Sequence, residues 1–207
     1  MKRLLIASLV LAISAGIASA QVNSIPQVGV ESGIIKQATY SAVSIGLVPA
    51  ASATDIFCIS GSTTKNISIK RISISGTAGT LVTAPFTLLR RVSLDTGGTP
   101  ASTTALPVAG ANLSSDAAAT AVLTAYTANP TIVDSSPLYF RSGVLSLNTT
   151  AALVAAPRLM WEFGESVGDF TRGLDILKNT AQQVCVNLNA VSVTSGVLNI
   201  DITWVEN

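Results

Sequence analysis

Toward the end of the chain, apolar residues fall on every second position. Leu198, Ile200, Ile202 and Trp204 are separated by Asn199, Asp201 and Thr203, and a period of two is the signature of a half-buried β-strand. Just before them, Val184, Val186 and Leu188 alternate with Cys185 and Asn187, and Thr194-Ser195-Gly196 supplies turn chemistry between the two runs. Residues 181–206 therefore predict a closing β-hairpin whose apolar face needs another layer to cover it.

The same reading extends upstream. Gly33 through Tyr40 predicts a first strand, 49–54 a small-residue loop, and Asp55 to Ser60 the next strand. In Lys65 to Ser75, Ile67 and Ile69 take odd positions and Ile72 and Ile74 even ones, so the phase slips across Lys70-Arg71. A one-residue slip would turn the later isoleucines to solvent, and the run predicts a β-bulge there. Phe86, Leu88, Val92 and Leu94 predict one shared face with Arg90 among them, and Arg91 points the other way. Arg90 then either reaches the sheet edge along its aliphatic stem, the favoured reading, or is buried against a carboxylate. Residues 95–107 (DTGGTPASTTALP) predict a long surface loop. Residues 112–119 suit a short helical turn, and Ala121 to Tyr126 a strand. Leu138 to Phe140 and Val144 to Leu147 flank Ser142-Gly143, read as a tight hairpin or a glycine bulge. Leu159, Trp161 and Phe163 predict a strand, with Leu174 to Leu177 after it.

Roughly nine to eleven short strands separated by Gly, Ser, Thr and Pro turns, with no βα alternation, predict an all-β fold. The expected architecture is an antiparallel two-sheet sandwich, jelly-roll-like, over a single domain at 34–207. Residues 21–33 (QVNSIPQVGVESG) have no firm period and read as an extended arm, frayed or paired with a neighbouring subunit.

The N-terminus changes the picture. Met1-Lys2-Arg3, the apolar run Leu4 to Ala18, and Ala18-Ser19-Ala20 form the n-, h- and cleavage regions of a signal peptide over 1–20. The run is short for a bilayer core of ~30 Å, so no stable membrane span is expected after cleavage. Removing 1–20 deletes Lys2 and Arg3 and leaves ten Lys and Arg against eleven Asp and Glu. Export makes Cys58 and Cys185 candidates for a disulfide, and so long a loop closed would stabilise by about 4–5 kcal/mol. Cys58 also reads as core within Ile56-Phe57-Cys58-Ile59, and Cys185 shares its face with Gln183 and Asn187, so both readings stand.

Chemistry is sparse. Only 11% of residues are charged, the formal net charge is +1 and aromatic residues are few, which excludes the basic, base-stacking footprint of a nucleic-acid binder. The chain has no histidine, the side chain most used for proton transfer near neutral pH and the commonest metal ligand. Gly164-Glu165-Ser166-Val167-Gly168 matches a nucleophile elbow, but the serine lacks a histidine base and the segment after it is poor helix material. Glu162, Glu165, Asp169 and Asp175 form the densest acidic cluster, with a spacing that fits no EF-hand. Asn66, Asn112 and Asn148 begin glycosylation sequons. No catalytic, cofactor-binding or metal-ligating set is assigned, and no enzyme is expected.

Three stretches carry a family likeness: Ala38-Thr39-Tyr40-Ser41 with Gly46 to Phe57, Ala125 to Thr131, and Ala181 to Trp204. Together they resemble tailed-phage and prophage virion-associated proteins of this size. The resemblance implies a β-sandwich subunit of a particle: a capsid decoration, fibre or minor structural protein, partnered by copies of itself or other assembly subunits. The leader departs from that pattern and implies a relative exported by its host, so the expected location is secreted, cell-surface or virion-associated. The alternative from another class is an exported β-sandwich that binds a surface glycan or receptor through loops 95–107 and 129–137.

Overall fold

A computed structural model of the chain describes residues 38–102, 108–110, 117–149, 157–164 and 174–207. The expected leader (1–20), the arm (21–33) and the start of the first strand lie outside the described residues, as does most of the helical turn expected at 112–119. Among the described residues all regular structure is strand: β1 (Ala38–Leu47), β2 (Ala53–Ser60), β3 (Ile67–Thr77), β4 (Val82–Arg91), β5 (Thr99–Ser102), β6 (Val108–Gly110), β7 (Val122–Ala128), β8 (Leu138–Leu147), β9 (Arg158–Glu162), β10 (Leu174–Ile176), β11 (Gln183–Val191) and β12 (Val197–Glu206). Twelve strands exceed the nine to eleven expected, in part because β5 occupies ground read as loop within 95–107. No helix among the described residues is long and apolar enough to cross a membrane.

The strands form two antiparallel sheets of six. One runs β10-β3-β12-β1-β6, with β9 pairing a second length of β3; the other runs β5-β7-β2-β11-β4-β8. From β1 to β4 and from β8 to β12 the chain repeatedly changes sheet. Between the sheets lies one apolar core that includes Tyr40, Phe57, Phe86, Trp161, Ile200 and Trp204, with the Tyr40 and Trp204 rings stacked at 5.7 Å.

The closing pair is not a hairpin. β11 lies between β2 and β4 in one sheet, and β12 between β1 and β3 in the other. Alternation reports which face a residue occupies and says nothing about which strand is its partner. Thr194-Ser195-Gly196 carries the chain across, with Ser195 at φ 49°. A Cβ on Gly196 would sit 2.2 Å from Val193 Cγ1, so this crossing requires glycine.

The bulge in β3 lies where the phase slip places it. Thr203 pairs with Arg71 and Trp204 with Ile69, leaving Lys70 as the extra residue. Ile67, Ile69, Ile72 and Ile74 are all buried in the core as a result.

Two expectations are corrected. Val92 and Leu94 do not share the core face of Phe86 and Leu88: β4 ends at Arg91 and both side chains are exposed. Ser142-Gly143 is no hairpin, and the irregularity is not at the glycine. β8 is one continuous strand, with Thr87 paired to Ser142 and Phe86 to Gly143, and the register shifts at Phe140. Leu159 packs onto Gly143, its Cδ1 lying 2.6 Å from where a Cβ would be, so a larger residue there would displace the Leu159 side chain.

Candidate functional site

The side of the second sheet turned away from the core carries a buried polar cluster. In β11, Val184, Val186 and Leu188 enter the core, so Gln183, Cys185 and Asn187 face outward. The neighbouring pairs Cys185–Leu89 and Gln183–Arg91 bring β4 side chains onto that same face. In β2 the pairing steps from Phe57–Val186 to Asp55–Asn187 and leaves Ile56 unpaired. This bulge lets Ile56 and Phe57 both enter the core and swings Asp55 onto the face of Cys58.

A disulfide joins Cys58 and Cys185, which sit directly opposite each other across β2 and β11. Both are buried, in a small apolar group with Leu89 and Tyr126. Beside them Arg91 donates from Nε to Asp55 Oδ2 at 2.5 Å and from Nη2 to Asp55 Oδ1 at 3.0 Å. Asn187 Nδ2 donates to the same Asp55 Oδ1 at 2.5 Å. Asp95 completes the cluster, with one carboxylate oxygen 3.7 Å from Arg91 Nε and the other 3.9 Å from Cys58 Sγ.

Two chain segments roof this face. Thr96 and Thr131 exchange backbone bonds of 3.1 and 2.7 Å. The Asp134 carboxylate accepts from the amides of Val92 and Ser136 at 2.9 Å each, and its carbonyl accepts from Arg91 Nη1 at 2.7 Å. Asn129 secures the other end, accepting from the Thr54 amide and donating to the Ser52 carbonyl.

Burial sets the electrostatics. Desolvation, and then the adjacent Asp55 carboxylate, push the Asp95 carboxyl up to about 7 against the pull of Arg91. Burial and the two aspartates likewise raise the Tyr126 hydroxyl. Burial pulls on the Arg91 guanidinium, but Asp55, Asp95 and Asp134 outweigh it and hold Arg91 above its ordinary value. The backbone amides of Val92 and Ser136 hold Asp134 below the usual carboxylate range. One cation therefore serves Asp55 in full, and Asp95 favours its proton.

Of the alternatives raised for Arg90, burial against a carboxylate falls instead to its neighbour Arg91, for which the sequence predicts only that it points the other way. Arg90 lies over the Phe140 ring, 5.1 Å from its centroid, and donates to the Asp175 carbonyl. Asp95 and Asp134, in segments expected to be surface loops, are drawn in with it. What pointed to this face in the sequence was Asp55 opening an apolar run and two amides, Gln183 and Asn187, flanking Cys185.

Of the remaining candidates only some lie among the described residues. Glu162 and Asp175 pair with separate parts of β3, opposite Arg71 and Ser68, while Glu165, Asp169 and all of 165–168, including Ser166, lie outside the described residues. Asn66 accepts from the Lys178 amide at 3.0 Å.

Above Arg91 opens a cavity of about 250 Å³, lined among others by Ile132, Asp134, Tyr139, Asn187 and Asn189. Asn189 and Ala190 at its margin both have positive φ, 53° and 61°, a conformation that costs non-glycine residues about 1 kcal/mol or more each. No family profile, curated protein or solved structure matches this chain.

Proposed function

We propose that this protein is a non-enzymatic structural subunit of a phage-virion-like or extracellular assembly: a capsid decoration, fibre or minor structural protein, exported by way of a leader at 1–20. The observation that carries the reading is the edge of the second sheet. β8 is ten residues long and closes that sheet, and it presents exposed Leu138, Tyr139 and Val144. Val92 and Val133, from the segments joined through Asp134, are exposed as well. An edge strand is a template for pairing with another chain. Although Arg141 and the bulge at Phe140 blunt part of β8, its exposed Leu138, Tyr139 and Val144 leave an apolar contact surface open.

A jelly-roll topology belongs to the same reading. Its support is the order β9/β10-β3-β12-β1 in one sheet and β2-β11-β4-β8 in the other, eight positions in two sheets with the closing strands central in each. Particle subunits and lectins both use this architecture. Sedimentation and electron microscopy of the mature chain test the proposal: assemblies growing with concentration are expected, and a strict monomer at high concentration overturns it.

A second reading, a module for a surface glycan or receptor, is favoured by the cavity under 129–137. It combines a fixed cation, amides and the exposed Tyr139 ring, the polar and aromatic lining that suits a sugar. Saturable binding by the monomer on a glycan array, lost in Tyr139→Ala, would favour it over the first.

A further inference from the structure

Asp55, Cys58, Asp95 and Cys185 each offer one donor atom, and the four atoms all lie within 4.8 Å of one another. Tetrahedral zinc with bonds of about 2.3 Å to sulfur and 2.0–2.2 Å to oxygen needs donors roughly 3.3–3.8 Å apart. To reach that spacing the S–S bond must open and the sulfurs move apart.

Three further observations point the same way. Asp95 Oδ1 is buried and, among the described residues, has no hydrogen-bond partner, although its side chain is fully removed from solvent. Asp55 is already held by Arg91 and Asn187, the kind of outer hydrogen bonding that fixes a ligating carboxylate. Charge is balanced while Asp95 keeps its proton, but an ionised Asp95 and two thiolates would together leave three negative charges without a cation. A dication answers that excess, and sulfur ligands select zinc over calcium or magnesium.

We propose that reduction of the Cys58–Cys185 disulfide converts this cluster into a buried zinc site with Asp55, Cys58, Asp95 and Cys185 as its ligands. Disulfide and metal are then alternative cross-links between β2 and β11, one for an oxidising compartment and one for a reducing compartment. With a phosphine as reductant, phosphorus attacks one sulfur and the other leaves as thiolate. Water supplies oxygen to phosphorus, giving the phosphine oxide and two thiols. Zinc then displaces both thiol protons and the proton on Asp95.

The test uses the full chain, zinc sulfate and a water-soluble phosphine, with zinc uptake read by competition against a chromophoric chelator and the donor set read by X-ray absorption. Expected are a single tight zinc with two sulfur and two oxygen or nitrogen neighbours, no uptake by the oxidised chain, and an affinity at least ~10-fold weaker in Asp95→Asn. Circular dichroism accompanies each titration. A reduced chain that unfolds and is refolded by zinc supports the site, with or without a folded Asp95→Asn. A reduced chain that takes up no zinc, that stays unfolded in its presence, or that binds it without sulfur overturns the proposal, as does equal uptake by the oxidised chain.

Discussion

Arg91 clasps Asp55 through two parallel bonds, Nε to Oδ2 and Nη2 to Oδ1, with the two side chains 3% and 0% exposed. Neither charge can retreat to water if the other is removed. Arg91→Ala should therefore cost about 3–5 kcal/mol in urea denaturation, because Asp55 stays buried without its cation. Asp55→Ala should cost less, because Asp95 stands 3.7 Å from Arg91 Nε and can ionise in its place. The double substitution Asp55→Leu with Arg91→Met should recover much of that loss. An Arg91→Ala variant within about 1 kcal/mol of the parent would show that the pair is not buried in solution.

Glu206 predicts an acid-labile component of stability. It lies at the rim of the core, almost fully buried, and accepts from Trp204 Nε1, the amides of Thr120 and Ala121, and the Thr120 hydroxyl. Burial pushes its carboxyl up, but these donors together outweigh burial and hold it below the ordinary 4.5. A depressed carboxylate contributes in full above its unfolded value and loses that contribution as pH falls through the folded one. Stability should fall below about pH 4.5, and Glu206→Gln should reduce that fall. The substitution should also cost about 1.5–3 kcal/mol at pH 7, since its amide would face N–H donors. Melting curves from pH 3 to 7 that are parallel for parent and variant would refute this.

Lys70 is the extra residue of the β3 bulge, which lets four isoleucines share one core. Deleting it should remove the bulge, make the Ile69–Trp204 and Arg71–Thr203 pairs consecutive, and keep Ile67, Ile69, Ile72 and Ile74 on the core face in strict alternation. The deletion is therefore expected to fold, and Lys70→Ala should change stability by no more than ~0.5 kcal/mol. Denaturation curves in which the deletion variant is unfolded while Lys70→Ala stays folded would show that Lys70 is not the extra residue of the bulge.

That bulge was legible because isoleucine is so strongly core-forming that its change of phase had to be absorbed somewhere. The bulge at Ile56 was not, since apolar residues occupy both parities of Ile56-Phe57-Cys58-Ile59 and no phase can be read. Most strand positions followed from alternation and turn residues, as in β9, where Trp161 is buried between half-buried Leu159 and Phe163. Strand partners did not, and so the last two strands were expected to pair and instead part into different sheets. The polar cluster depends on those partners. Asp55, the Arg91–Asp95 stretch and Asn187 come from three separate segments, and only tertiary pairing sets them side by side. The amides beside Cys185 hinted at a buried polar face, but nothing local indicated that Asp95 and Asp134 would close over it.

The edge of the second sheet gives the sharpest test of assembly. Val144 is 61% exposed and Tyr139 is 63% exposed on β8, so replacing either should barely disturb the fold. If β8 pairs with a neighbouring chain, Val144→Lys places an ammonium group in that contact and forfeits the burial of a valine, about 1.5–3 kcal/mol. The association constant should fall by ~10–100-fold, and adding Tyr139→Lys should leave the chain monomeric, with unchanged denaturation in urea. A charge at the opposite margin, Thr99→Lys in β5, serves as the control and should leave assembly intact. Sedimentation velocity across a dilution series reads all three. Identical distributions for the parent and the β8 variants would place the contact elsewhere and remove β8 from the assembly.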